Sequence, residues 1–280
     1  MSWQLLVLIS VVSTSFASLF QKVAMKDQKS DPVVSAIAFQ FILGFILSIF
    51  ALAKGFQLPD SSMIPFFLAS GVLYGVGTVC FFKAIKIIEA SKMTILGGSG
   101  VIVTILASMI FLGDKLSPMQ LFGTGLILCA VVLISWEKKS LKVNNSTWLA
   151  LAGTSSYGLA VVFDTFIIRS YSAVWFLPLA SFGPGILMTL WYFRRIKSIV
   201  GYVRQINKNL IIYCMLYAVQ AVAFYVALEN GAVVGQISSI SRTSIVLTVI
   251  LAAVVLRETK HVGKKIVGAV LTTIGVLLVA

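Results

Sequence analysis

Charge is what this sequence has least of. Only 11% of its 280 residues are Asp, Glu, Lys or Arg, and just 9 of them are acidic. Soluble domains carry about a quarter charged residues, so this surface cannot mostly face water. A single histidine, His261, removes the usual metal-ligand spacings, and no nucleophile motif or phosphate-cradling glycine loop with its lysine is present. A metal centre, a catalytic residue and a resident cofactor are therefore not expected, nor is a primary pump unless a partner chain supplies the ATPase. Cysteine is also sparse. Cys80, Cys129 and Cys214 lie singly inside apolar runs and read as small hydrophobes rather than as a disulfide framework. The net charge of +13 lacks the solvated basic face that nucleic-acid binding requires.

What is abundant is apolar. Hydrophobic residues make up 59% of the chain and its mean hydropathy is +1.02. A helix crossing the bilayer core needs about 20 such residues. Cutting the chain at charges and turn residues predicts ten spans: 2–24, 33–53, 62–85, 90–112, 116–136, 147–169, 173–193, 209–229, 234–256 and 261–280. The N-terminal run lacks a basic leader and extends to about Met25, so it reads as the first span rather than a signal peptide.

Basic residues test that count. Eighteen Lys and Arg fall in or beside the odd-numbered loops, from Lys22 to Lys265, and three (Lys54, Lys115, Arg169) in the even ones. One missed or invented helix would scramble this alternation. Positive charge stays on the cytoplasmic side, so the odd loops face the cytoplasm and both termini face outward. The expected location is the cell's inner membrane, as a multi-pass protein surrounded by lipid.

The sequence also repeats itself. Leu73-Tyr74 matches Leu216-Tyr217 and Phe81 matches Phe224, while the acid-bearing turn Leu112-Gly113-Asp114 matches Leu256-Arg257-Glu258. Five spans per unit is an odd number, so the second copy enters the bilayer upside down. The reading is an all-α membrane protein of two inverted five-helix repeats, 1–140 and 146–280. Transporters recurrently use this plan because two half-units can rock about a site at their interface.

Leu112-Gly113-Asp114-Lys115-Leu116-Ser117 with Gln120 and Gly123 resembles the short loop and following helix of EamA-type members of the drug/metabolite transporter superfamily. Leu256-Arg257-Glu258-Thr259 with Gly268 is a weaker copy, and Ser155-Ser156-Tyr157-Gly158 resembles the opening of that family's second repeat. The resemblance implies export or exchange of amino acids or other small metabolites through a central cavity. Spans one, three, four, six, eight and nine would line it. Family members are commonly drawn with cytoplasmic termini, the reverse of what the charge count gives.

Ionisable groups at membrane depth face a cavity or a partner, because lipid does not solvate them. Arg242 and Asp164 stand out, in the same outer half and roughly 5 Å apart in depth at 1.5 Å per residue. Two readings stay open: a helix-locking ion pair, or Arg242 meeting a substrate carboxylate or phosphate while Asp164 releases it or takes a proton. Tyr213, Tyr217, Gln220 and Phe224 share one face of span eight, and Tyr74, Gly77 and Phe81 repeat that face in span three. Tyr157 lies seven residues from Asp164, on the same side of span six. In span one, Ser10, Thr14, Ala17 and Gln21 form a stripe whose serines read as packing and whose Thr14 is a substrate-contact candidate. Pro178 and Pro184 are candidate kinks in span seven.

The substrate-binding set is thus Arg242, Tyr157, Tyr217, Gln220, Tyr74 and Thr14, with Asp164 as coupling group or ion-pair partner. The expected function is a secondary transporter moving a small polar, amino-acid-like or other anionic or zwitterionic solute by alternating access, with proton coupling through Asp164. A lipid flippase is the alternative, and an intramembrane enzyme a more distant one. Monomer and homodimer both remain open.

Overall fold

The computed structural model describes residues 2–26, 30–53, 55, 57–111, 117–135, 145–168, 170–193, 206–230, 240–241 and 243–279. Every regular element among them is helical: α1 Trp3–Lys26, α2 Pro32–Ala53, α3 Ile64–Ile87, α4 Ala90–Gly97, α5 Gly100–Phe111, α6 Pro118–Ser135, α7 Asn145–Ile168, α8 Ala173–Trp191, α9 Lys208–Glu229, α10 Ser244–Val255 and α11 Val262–Val279, with a single 3₁₀ turn at Ser61–Met63. Among the described residues, six stretches are long and apolar enough to cross a bilayer: Trp3–Lys26, Pro32–Ala53, Ser61–Ile87, Ala90–Phe111, Asn145–Ile168 and Val174–Trp191. Lipid offers the backbone no hydrogen bonds, which is why the described apolar stretches are helical.

Helix starts follow local chemistry. The Asp31 carboxylate accepts from the amides of Val33 and Val34 at 2.8 and 3.1 Å, and Pro32 stands at the first helical position, where its missing N–H costs nothing. Ahead of α6, Ser117 Oγ accepts from the Gln120 amide while Gln120 Oε1 accepts from the Ser117 amide at 2.9 Å. That reciprocal capping box explains the Ser117–Gln120 pair of the turn motif. Residues 112–116 of the motif lie outside the described residues.

The fourth span departs from expectation. It is not one helix over 90–112 but two, α4 and α5, broken at Gly98 and Ser99. The amides of Gly98 and Ser99 turn back three residues to Ile95 and Leu96, and Ser99 Oγ takes the Leu96 carbonyl at 2.7 Å. Three glycines and a serine in four positions supply little helix propensity to resist this. Helix α8, by contrast, runs on through Pro178 and Pro184.

Helix contacts come in matched pairs. The most extensive are α3 with α7 and α1 with α9, followed by α6 with α11 and α2 with α8. Pair each helix with its counterpart by sequence order: α1 with α7, α2 with α8, α3 with α9, α4–α5 with α10, and α6 with α11. Exchanging counterparts turns α3–α7 into α1–α9, α3–α8 into α2–α9 and α5–α7 into α1–α10, all of them observed contacts. The α2–α8 and α6–α11 contacts map onto themselves. The main buried cluster joins Met25, Phe39, Phe82, Ile85, Leu210 and Cys214, so it sits where α1, α2, α3 and α9 meet.

Candidate functional site

A cavity of about 370 Å³ opens among α2, α3, α7, α8 and α9. That is within the ordinary range of small-molecule sites, roughly 300–1,000 Å³. On α7 the lining residues Tyr157, Val161, Asp164, Thr165 and Ile168 recur at helical spacing, and on α9 Tyr217, Gln220, Ala221 and Phe224 do the same. Helix α2 contributes Phe39, Gln40, Leu43 and Leu47, and α8 contributes Phe176, Leu177, Ala180 and Ser181. Ile168 ends α7, Phe176 lies in the first turn of α8, and Tyr74 sits just before the middle of α3. The cavity therefore occupies the half of the bundle nearest the connections 54–63 and 169–172.

Asp164 is the centre of the site. It is 6% exposed, and among the described lining residues it carries the only carboxylate. Ser70 Oγ donates to Oδ1 and Tyr74 Oη donates to Oδ2, each at 2.5 Å. Ser70 and Tyr74 are four residues apart on α3, so one face of that helix holds both carboxylate oxygens. Such bonds to a charged acceptor are worth about 1.5–3 kcal/mol each, and they fix the carboxylate's orientation.

A second network lies one turn deeper. Thr78 Oγ1 donates to the Tyr74 carbonyl at 2.7 Å, which uses its only proton. The Tyr157 hydroxyl, 2.8 Å away, is then the donor to Thr78, as is Gln40 Nε2 at 3.0 Å. The rings of Tyr74 and Phe81 meet Tyr157 nearly edge-on at 5.2 and 5.1 Å. On the far wall Phe39 stacks on Tyr213 at 4.8 Å and meets Tyr217 edge-on at 5.3 Å. The result is a carboxylate, phenols and amides set in an aromatic shell: suited to binding a small organic molecule with both polar and flat apolar parts. Removing the Tyr157 hydroxyl (Tyr157→Phe) is expected to cost about 0.5–1.5 kcal/mol of stability and to change transport only a few-fold, measured by thermal unfolding beside solute uptake. A loss of all transport would place that hydroxyl on the substrate instead.

The sequence-predicted residues divide three ways. Asp164, Tyr74, Tyr157, Tyr217 and Gln220 come together around the cavity. Thr14 is elsewhere: its hydroxyl donates to the Ser10 carbonyl of its own helix at 2.8 Å, and α1 supplies none of the described lining. Arg242 lies outside the described residues, and with it the pairing to Asp164. Of the spans expected to line the site, three, six and eight do so, while the second and seventh contribute unexpectedly. Sequence reasoning misses Gln40, Ser70, Thr78, Thr165 and Ser181. Gln40 carries a usable signal as an amide alone in a long apolar run, whereas the hydroxyls are indistinguishable in sequence from packing residues. No group of three His, Cys, Asp or Glu side chains converges among the described residues.

Comparison with known proteins adds the family. The sequence model of the EamA-like transporter family matches residues 1–136 and 145–280. The "uncharacterized transporter in cobO 3'region" of Sinorhizobium sp is 28% identical over 139 residues, which are 48% of this chain and 96% of that relative. The "uncharacterized protein y4nH" of Sinorhizobium fredii is 32% identical over 79 residues, 28% of this chain and 68% of that protein. A solved crystal structure shares the fold at a TM-score of 0.57 and 15% identity, covering 99% of this chain and 95% of its own. With both halves matched, an all-helical architecture and a polar cavity inside it, the chain belongs to the EamA-like transporter family and is a multi-pass membrane transporter.

Proposed function

We propose that the protein is a secondary transporter carrying a small polar solute, amino-acid-like or otherwise anionic or zwitterionic, across the inner membrane by alternating access. Its ten spans form two inverted five-helix repeats, 1–140 and 146–280. The observation that carries this is the cavity: Asp164 from the second repeat is held by Ser70 and Tyr74 from the first, so the site straddles the boundary along which two repeats would move. The matched helix contacts support the repeat, as does a relative almost wholly covered by 139 residues, the length of one repeat. The split of basic residues supports termini on the outer side. In this reading the Tyr157 ring, Tyr217 and Gln220 meet the solute, Arg242 takes its carboxylate or phosphate, and Asp164 releases it or takes a proton.

A flippase is the second reading. It is favoured by an apolar groove of about 780 Å³ on α1, α2 and α9, lined by Ile9, Ile46, Phe50 and Met215, which has the character to hold an acyl chain. Purified protein in liposomes separates the two: counterflow of labelled amino acids marks a carrier, and scrambling of labelled lipid without counterflow marks a flippase. Cysteines placed at 26–29 and at 138–142 are expected to react from the same side of the membrane. Reaction from opposite sides would end the inverted-repeat reading.

A further inference from the structure

Opposite the cavity, where α1 and α3 end and α4 begins, four charges are gathered into the packed end of the bundle. Lys22 Nζ donates to the Ile85 carbonyl at 2.8 Å and to the Ile88 carbonyl at 2.5 Å, the open C-terminal acceptors of α3. Two residues on, the Glu258 carboxylate receives the first amides of α4: Ala90 N–H at 2.8 Å and Ser91 N–H at 3.0 Å, with Ser91 Oγ at 2.6 Å. Each charge thus faces the helix end of opposite polarity. Lys265 Nζ closes the set, donating to the Glu258 carbonyl at 3.0 Å and pairing with Glu89 Oε2 at 2.7 Å. Lys22, Glu258 and Lys265 are each 6–7% exposed.

The elements involved matter as much as the bonds. Lys22, the α3–α4 turn and Glu89 belong to the first half of the chain; Glu258 and Lys265 belong to the second. Glu258 sits on a turn that two non-glycine residues, Arg257 and His261, pass through in left-handed conformation (φ 56° and 53°). Residues of that kind persist only where their surroundings hold them. Burying three charges is costly, and the main-chain groups of the helix ends, together with the Lys265–Glu89 pair, offset it.

We propose that Lys22, Glu258 and Lys265 form a clasp that seals the face of the bundle opposite the cavity, and that its release is the step admitting solute to that face. The proposal rests on the alternating-access reading. It gives the acid of the second repeat's turn motif a function: Glu258 is the bolt that one repeat inserts at the α3–α4 turn of the other.

Cys214 is a native reporter. It is fully buried in α9, in the cluster with Met25 and Ile85 that separates clasp from cavity. With Cys80 and Cys129 replaced by alanine, a membrane-impermeant methanethiosulfonate is applied from the side bearing residues 138–142. Lys22→Met and Glu258→Gln are each expected to raise the labelling rate of Cys214 at least about tenfold, because each takes from a buried helix end the charge that satisfies its main-chain groups, which favours the released state. Unchanged labelling in both variants overturns the clasp. Should either variant fail to fold, a second experiment decides. In a cysteine-free background, Ser91→Cys with Glu258→Cys, bridged by a short reducible bis-thiol reagent, is expected to stop amino-acid counterflow, and reduction to restore it. Counterflow that continues through the bridged protein overturns the clasp, whereas absence of counterflow in the unmodified protein overturns the carrier reading instead.

Discussion

Replacing Asp164 by asparagine is expected to lower solute counterflow about 10- to 100-fold while leaving the protein folded. The carboxylate accepts one hydroxyl on each oxygen, from Ser70 and Tyr74. Asparagine keeps one acceptor, so one of the two hydroxyls loses its partner and the negative charge disappears. A hydrogen bond to a charged group is worth about 1.5–3 kcal/mol. If transport uses that charge, in solute binding or in proton uptake, losing it lowers the rate by roughly one to two powers of ten. Stability should fall far less, because the substitution preserves size and most packing. A melting temperature within a few degrees of the parent would establish this. The same variant tests coupling. A fixed neutral amide cannot exchange a proton, so counterflow measured from acidic to neutral pH should lose its pH dependence. If Asp164→Asn keeps its full pH dependence, Asp164 has no part in coupling.

Periodicity explains why part of this site was legible in the sequence. Asp164 and Tyr157 share a helix face at a spacing of seven, and Tyr217, Gln220 and Phe224 share another, so their convergence on one cavity follows from helical geometry once the spans are set. The contributions of α2 and α8 were not legible, because their lining residues are mostly the same apolar types that face lipid: Leu43, Leu47, Leu177 and Ala180. In water, polarity separates inside from outside; in a bilayer it does not. The break at Gly98 and Ser99 was hidden for a related reason. The apolar window from Ala90 to Phe111 is long enough to span the membrane whether or not the helix is continuous. Lys22 presents the opposite case. Its position gave its side of the membrane, but its partners are main-chain carbonyls of another helix, which leave no mark on composition.

Where α7 crosses that break, added volume meets main chain. A methyl group at Gly158 would lie 2.3 Å from the Gly100 carbonyl oxygen and 3.2 Å from Thr104 Oγ1, and one at Gly100 would lie 2.8 Å from the Thr154 carbonyl oxygen. Helices α5 and α7 therefore touch backbone to backbone, locked by Thr104 Oγ1 donating to the Gly158 carbonyl at 2.9 Å. Close approach through small residues is how membrane helices gain van der Waals contact when lipid removes the hydrophobic drive to associate. In Gly158→Val no side-chain rotation can relieve the clash, because the obstructing atom is main chain. The helices must separate and the Thr104 bond stretch, at a cost of about 1–3 kcal/mol or more for overpacking. The melting temperature is expected to fall on the order of 10 °C. Gly183→Ala is the control: nothing lies within 4 Å of its added methyl, and alanine favours a helix over glycine by about 1 kcal/mol, so stability should hold or rise. Tyr157 adjoins Gly158 and Asp164 lies six residues further along the same helix, so prying α5 from α7 also shifts the cavity wall. Transport by Gly158→Val should consequently fall even at temperatures where the protein is still folded, and a variant that melts early yet transports normally would show that α7 keeps its place without α5.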